Sequence, residues 1–178
     1  DQIIASEDKE STKELARQFK KKGIKIETGS KVASIKDMGN DCVVQVTGKE
    51  DRSFSKVLVA IGRSPVTENL GLENVNIKLE HKFIPVDTHY RTDVQNIFAI
   101  GDVIKTPALA HTASAEAIHA VEVIAGQTPV PINYEANPSA IYTTPEIASI
   151  GHTEVQLKEK KVDYKIAKFP FFPLAKAK

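Results

Sequence analysis

The sequence predicts a mixed α/β fold, and three patterns support that prediction. Two short apolar runs, 57–61 and 97–100, each end at a glycine, which is typical of strands buried on both faces of a sheet. Two longer segments, 7–22 and 110–124, have the apolar spacing and end residues of helices. Residues 32–56 alternate between apolar and polar around glycine-containing turns, which predicts short antiparallel strands.

The composition is that of a globular protein. The chain has 178 residues, of which 41% are hydrophobic and 26% charged, enough for one sizeable core or two small ones. Lys and Arg number 24 against 23 Asp and Glu, so the charge gives no reason to propose nucleic acid or an acidic membrane as a partner. With neither a membrane-length apolar run nor a signal-peptide pattern, we expect a cytoplasmic protein.

The first predicted helix covers residues 7–22. Ser6 is its candidate cap, acidic residues occupy its first turn, and lysines 20–22 occupy its last turn, as the helix dipole favours. Gly23 is expected to end it. Its apolar face, around Leu15, is narrow, so the lysines are interpreted as a solvated surface and not as a polyanion site.

Three short strands are predicted next, over 32–38, 42–47 and 52–56, as a meander. The single cysteine, Cys42, lies in the second strand and is assigned to packing. One cysteine excludes an internal disulfide and a cysteine-based metal cluster. The apolar run that follows ends in Gly62 and Arg63, and its Ala-Ile-Gly sequence is repeated just before Asp102.

Gly101 and Asp102 directly follow the second apolar run. Ligands of open α/β sheets bind outside the carboxyl ends of the strands, where glycine lets the backbone approach and an acid can accept hydrogen bonds from sugar hydroxyls. A helix begins about nine residues later, and its first N–H groups point back toward such a ligand. Its predicted apolar face comprises Ala110, Ala113, Ala117, Val121 and Ile124.

A proline-rich stretch after Gly126 marks a plausible domain boundary. Thr153 and Gln156, three residues apart, have the pattern of a capping box. The elements predicted beyond the boundary are a strand, turn and strand over 139–151, a short helix from 153 to about 161, and a strand over 164–169.

The segment IFAIGDVIKTPALAHTASAEA, residues 97–117, resembles the second flavin-contact motif of the FAD- and NAD-dependent disulfide oxidoreductases. The resemblance implies that the carboxylate of Asp102 holds the ribityl chain of FAD. It implies that the backbone of Ala108, Leu109, Ala110 and His111 lies beside the isoalloxazine ring, where a helix N-terminus stabilises negative charge on the reduced flavin. For the second cofactor, NAD, it places Gly62 against the dinucleotide and Val32 at the adenine pocket.

The resemblance extends over essentially the whole chain and divides it into three parts. Residues 1–75 resemble the C-terminal half of an NAD-binding domain, residues 76–130 the C-terminal part of an FAD-binding domain, and residues 131–178 the start of a dimerisation domain. The segment IYTTPEIASIG, residues 141–151, resembles the opening of that last domain. The implied fold is therefore α/β, α+β in part, with partial Rossmann-like domains, a three-stranded meander and a homodimer interface.

The implied activity is oxidation of dihydrolipoamide, with electrons passing through a cysteine pair to FAD and then to NAD. Such an enzyme serves 2-oxo acid dehydrogenase complexes through their lipoyl groups. Residues 108–111 favour this lipoamide type, while a glutathione- or mercuric-type reductase and a non-catalytic FAD-binding or oligomerisation module remain open alternatives.

Several parts of the family pattern are missing from this sequence. It contains no GxGxxG loop, no cysteine pair and no carboxyl-terminal His–Glu pair in a matching context. We therefore assign no catalytic residue and expect a fragment that is inactive by itself. His81 and His89 have no second ligand at a metal-like spacing, so no metal site is predicted and both are assigned to the surface.

Overall fold

The computed structural model describes residues 2–171 and 173–174. The chain forms two compact units, one made of 1–29 with 138–178 and the other of 30–137. The helices and strands are α1 Lys9–Lys21, β1 Val32–Asp37, β2 Cys42–Val46, β3 Arg52–Phe54, α2 Ala110–Ile124, β4 Ser139–Ile141, β5 Ile147–Ser149 and α3 Glu154–Glu159. The prediction of a mixed α/β fold is confirmed.

The predicted meander is present in the 30–137 unit. Its strand order is β1-β2-β3, with both pairs antiparallel. Val44 and Val46 of β2 are buried, whereas Gln45 between them is exposed. This alternation is what a two-faced sheet with one solvated face requires.

The two apolar runs do not form the predicted buried strands. Leu58 is 90% exposed and Ile61 96% exposed, and residues 57–61 are extended without strand pairing. In the second run, a single antiparallel bridge joins Phe98 to Arg91. A strand buried on both faces needs neighbouring strands on both sides and covered faces. Among the described residues, the 57–61 run has neither, and the 97–100 run is covered but has only this one bridge.

The 97–100 run still reaches the core of its unit. Ala99 is buried in a cluster with Ile77, Ile84, Tyr90, Ile104 and Ala120. The Ala99 amide donates to the Tyr90 carbonyl at 3.0 Å. This packing fixes the chain just before Gly101.

Helix α2 has the predicted bounds, but it buries a different face from the one predicted. Val121 and Ile124 of the predicted apolar face are each 62% exposed. The buried residues of α2 are Thr112, Glu116, His119, Ala120 and Val123. The periodicity located the helix correctly, but three polar side chains occupy the face that packs inward.

In the other unit, α1 begins after Asp8, so the prediction of Ser6 as its cap is wrong. The Asp8 carboxylate does not cap its own helix and instead accepts the Glu154 amide at 3.0 Å. At the other end, Gly23 has a φ of 80°, and the predicted stop at this glycine is confirmed.

The carboxyl-terminal elements of this unit match the prediction in part. β4 and β5 pair antiparallel, and the capping box is present, with the Thr153 hydroxyl accepting the Gln156 amide at 3.3 Å. The strand predicted over 164–169 is absent from these described residues. Tyr164 instead donates its hydroxyl to the Glu154 carboxylate at 2.6 Å, and within residues 2–171 no strand pairs with this segment.

Candidate functional site

The Gly101-Asp102 turn lies directly against helix α2. Gly101–Val103 forms one 3-10 turn, and Gly101 has a φ of 71°, where glycine is favoured. A Cβ added at this position would lie 3.3 Å from the Cβ of Ala113. Both the backbone conformation and the close approach to the helix therefore favour glycine here.

The Asp102 carboxylate faces outward from this turn. Its side chain is 51% exposed, and it lies 3.6 Å from the guanidinium of Arg63. Such a solvent-exposed pair contributes little free energy, so the carboxylate oxygens can accept hydrogen bonds from a ligand. The residues that follow the two copies of the Ala-Ile-Gly repeat, Arg63 and Asp102, thus contact each other through their side chains.

The start of α2 lies next to the same turn. Its N-cap is Leu109, without a side-chain cap, and the first helical hydrogen bond runs from the Ala113 amide to the Leu109 carbonyl at 3.0 Å. The preceding amides of the first turn have no acceptor within the helix. Ala108 and Ala110 are exposed, so this backbone can approach a flat ligand closely.

A buried carboxylate behind the turn was missed by the sequence analysis. Glu116 is 0% exposed. One of its oxygens accepts the Gly101 amide at 2.7 Å, and the other accepts the Tyr134 hydroxyl at 2.8 Å. The Tyr134 hydroxyl also lies 2.9 Å from the Tyr90 hydroxyl. In the sequence, the presence of a glutamate within an alanine-rich helix is the feature that could have indicated this network.

Two histidines adjoin the network. His119 is buried and contacts the Tyr90 ring edge-on, and its Nε2 lies 3.0 Å from Nδ1 of His89. The ring centroids are 5.3 Å apart. This distance equals the 3.0 Å between the two nitrogens plus the distance from each nitrogen to the centre of its own ring. The rings therefore meet end to end through one N–H···N hydrogen bond, and the assignment of His89 to the plain surface is wrong.

Both tyrosines of the network hold their protons strongly. Burial raises the pKa of Tyr134, and its hydrogen bonds with Tyr90 and Glu116 raise it further. Burial also raises the pKa of Tyr90, and the nearby Glu116 charge acts in the same direction. Neutral phenols are what this network needs, because each hydroxyl can then donate a hydrogen bond.

We expect the folded chain to resist phenol ionisation above pH about 10, the ordinary pKa of tyrosine. The folded-state pKa values are raised, so this stabilisation is fully present below the unfolded pKa and is lost as pH rises through the folded pKa. The free energy of unfolding should fall by up to about 1.4 kcal/mol per pH unit for each retained proton. Ultraviolet titration of phenolate, with and without urea, measures how far the midpoint of phenol ionisation is raised in the folded chain.

Tyr134→Phe should remove one of the phenols that ionise at raised pH in the folded chain. Tyr142→Phe is the matched control, since Tyr142 is exposed and lies outside the network. A native titration identical to that in urea would contradict the assignment of buried, neutral phenols.

The predicted positions near the second cofactor are arranged differently. Val32 begins β1 and pairs with Val46. Gly62 has a φ of 137°, and a Cβ there would meet no atom within 4 Å. The residues around Gly101 therefore fit a flavin, because they combine a glycine in close contact with a helix, a half-exposed acid and a helix start. Gly62 lies in an extended segment without strand pairing and has open space around it.

Comparison with known proteins identifies the family of the chain. The profile of the pyridine nucleotide-disulphide oxidoreductases matches residues 1–117, and the profile of their dimerisation domain matches residues 137–178. The chain belongs to the pyridine nucleotide-disulphide oxidoreductase family. FAD and NAD are the cofactors of this family.

Curated relatives from several animals are dihydrolipoyl dehydrogenases. The chain is 44% identical over 177 residues to the mitochondrial dihydrolipoyl dehydrogenase of Caenorhabditis elegans, and 44% identical over 178 residues to that of Homo sapiens. These matches cover 96% of this chain but 36% and 35% of the relatives. The chain thus spans about a third of their length, and the predicted resemblance is confirmed.

Solved structures give the same fold. LpdA from Mycobacterium tuberculosis superposes with a TM-score of 0.83 at 28% identity, covering 91% of this chain and 36% of that one. The flavoprotein disulfide reductase RclA from Escherichia coli superposes with a TM-score of 0.85 over 98% of this chain and 40% of its own. RclA is 23% identical, so this likeness concerns the fold alone.

The predicted cytoplasmic location is wrong, because the curated relatives are mitochondrial enzymes. Among the described residues, no helix has the length and apolar character needed to cross a bilayer.

Proposed function

We propose that these residues supply the flavin side, and part of the nicotinamide side, of a dihydrolipoyl dehydrogenase. The observation that carries the proposal is the Gly101-Asp102 turn, which packs on the start of α2 and leaves its acid half-exposed. The 44% identity to mitochondrial dihydrolipoyl dehydrogenases supports this reading over a glutathione- or mercuric-type reductase.

The chain's own residues bind and orient the flavin in this proposal. Asp102 accepts hydrogen bonds from the hydroxyls of the ribityl chain, and Gly101 lets the backbone approach. The backbone of Ala108, Leu109, Ala110 and His111 lies along the ring, where the positive end of the helix dipole favours negative charge. When bound, FAD supplies the electron-transfer chemistry of the enzyme.

The nicotinamide side rests on fewer contacts. We place Gly62 against NAD and Val32 at the adenine pocket. A φ of 137° at Gly62 and the open space around it support a close approach of a ligand.

We further propose a division into an NAD part over 1–75, an FAD part over 76–130 and a dimerisation part over 131–178. The match of the dimerisation profile from residue 137 supports the last part, while the two compact units group 138–178 with 1–29.

The complete reaction needs groups outside these residues. Oxidation of dihydrolipoamide requires a cysteine pair to pass electrons to FAD, and this sequence contains one cysteine. The 178 residues by themselves are therefore a cofactor-holding part with no assigned catalytic residue. We propose that the whole enzyme is a homodimer that acts on lipoyl groups of 2-oxo acid dehydrogenase complexes, and the dimerisation profile supports the dimer.

The visible absorbance of the purified chain tests the flavin assignment. After incubation with excess FAD and removal of unbound cofactor by gel filtration, we expect a retained flavin spectrum close to one FAD per chain. The same chain in urea is the control for non-specific retention. A colourless native protein would overturn the proposal for this chain.

A further inference from the structure

We propose that Glu116 is a positioning residue for the flavin site, acting through the Gly101 amide on the Asp102 carboxylate. Glu116 would not touch the flavin itself. Its side chain would hold the turn in the one direction that presents Asp102 outward. The inference rests on the proposed flavin-binding function.

The burial of Glu116 supports a specific role for its two hydrogen-bonding oxygens. A carboxylate that is 0% exposed is costly unless its oxygens are hydrogen-bonded. Both oxygens have partners, the Gly101 amide at 2.7 Å and the Tyr134 hydroxyl at 2.8 Å. Hydrogen bonds to an ionised acceptor are short and about twice as strong as neutral ones. The Gly101 amide is therefore firmly held.

The anchored amide determines where Asp102 points. Gly101 has a φ of 71°. Glycine adopts positive and negative φ values about equally readily, so its own backbone preference does not select this conformation. Two contacts fix it here, the hydrogen bond that the Gly101 amide donates to Glu116 and the close approach to Ala113. Asp102 is the next residue, and its exposed carboxylate inherits the orientation of the turn.

Glu116 is itself oriented by a second layer of hydroxyls. Tyr134 lies in the short 3-10 turn Tyr134–Ala136 that follows α2 along the chain, and its hydroxyl lies 2.9 Å from that of the core residue Tyr90. This relay holds one carboxylate oxygen, which leaves the other aimed at Gly101. Networks of this kind are strong only while every member is satisfied.

The test compares Glu116→Ala, Glu116→Gln and Glu122→Gln in the purified chain. Glu122 is the matched control, a half-buried acid on the same helix and outside the network. One readout is the dissociation constant for FAD from the quenching of flavin fluorescence. The other is the amide proton shift of Gly101 by nitrogen-15 NMR, which reports the hydrogen bond without any flavin.

We expect Glu116→Ala to move the Gly101 amide proton upfield and to weaken FAD binding at least about tenfold, the loss of one charge-assisted hydrogen bond. Glu116→Gln keeps the shape and one acceptor, so it should restore binding to within about threefold of the unmutated chain. Glu122→Gln should change neither readout. Rescue by glutamine separates positioning of the turn from general loss of packing.

The two readouts separate the inference from the proposed function. Failure of the unmutated chain to bind FAD would overturn the flavin assignment, and with it the role of Glu116 toward a flavin. FAD binding with an unmoved Gly101 amide in Glu116→Ala, or with unchanged affinity in that variant, would overturn the positioning role alone. If Glu116→Ala does not fold, Tyr134→Phe decides, because it should shift the Gly101 amide and an unchanged signal would count against the relay.

Discussion

Replacement of Asp102 by alanine should weaken FAD binding by about 10- to 100-fold, the effect of losing hydrogen bonds to a charged acceptor. The carboxylate is half-exposed, and among the described residues its ion-pair partner is the still more exposed Arg63. An exposed ion pair of this kind contributes little to stability, so the free energy of unfolding should change little. Fluorescence titration with FAD and urea unfolding measure the two quantities.

Three further variants make the Asp102 prediction specific. Asp102→Asn retains one carbonyl acceptor and should fall between the unmutated chain and the alanine variant. Arg63→Gln removes only the exposed ion pair and should alter affinity far less than Asp102→Ala. Asp93→Ala is the matched control, an exposed acid in the same unit. Equal FAD affinity in Asp102→Ala and Asp93→Ala would eliminate Asp102 as the flavin ligand.

Local sequence rules predicted the local structure well. The bounds of α2, the meander and the Thr153–Gln156 capping box depend on residues close together in sequence. The strands over 57–61 and 97–100 failed because a doubly buried strand is defined by neighbours on both sides. An apolar run indicates the capacity to be buried, and the partners decide whether it is.

The face of α2 shows a second limit of pattern reading. Ala, Val and Ile at regular spacing indicated one inward face, yet Glu116 and His119 lie inside while Val121 and Ile124 are exposed. Polar side chains can be buried when distant residues satisfy them, as Tyr134 and His89 do here. Those partners are far away in sequence, so periodicity could not reveal them.

The Gly101-Asp102 turn of the candidate site was predictable from the sequence, but the long-range contacts that hold it were not. Gly101, Asp102 and the helix start are contiguous in sequence and follow a recognisable order. The amide anchor from Glu116 spans 15 residues, and the Arg63–Asp102 pair joins two separate copies of a short repeat. Both require the folded backbone to bring them together.

The conformation of Gly101 leads to the second large expected effect. Gly101→Ala should weaken FAD binding by about 10- to 100-fold, because an L-residue in the left-handed region costs about 1–2 kcal/mol and a second steric term adds to it. That second term is the new Cβ, which would lie 3.3 Å from the Cβ of Ala113. Relief of either strain turns the Gly101 amide away from Glu116 and moves the neighbouring Asp102.

Two companion variants separate the steric contact from the backbone strain. Gly48→Ala has a similar φ of 75° with no atom within 4 Å of the added Cβ, so it should lower the free energy of unfolding while leaving FAD affinity unchanged. Gly101→Ala combined with Ala113→Gly removes the contact but not the strain, and should recover part of the FAD affinity. Equal losses in the single and double variants would mean that the approach of the turn to α2 does not shape the site, and that backbone conformation at Gly101 acts alone.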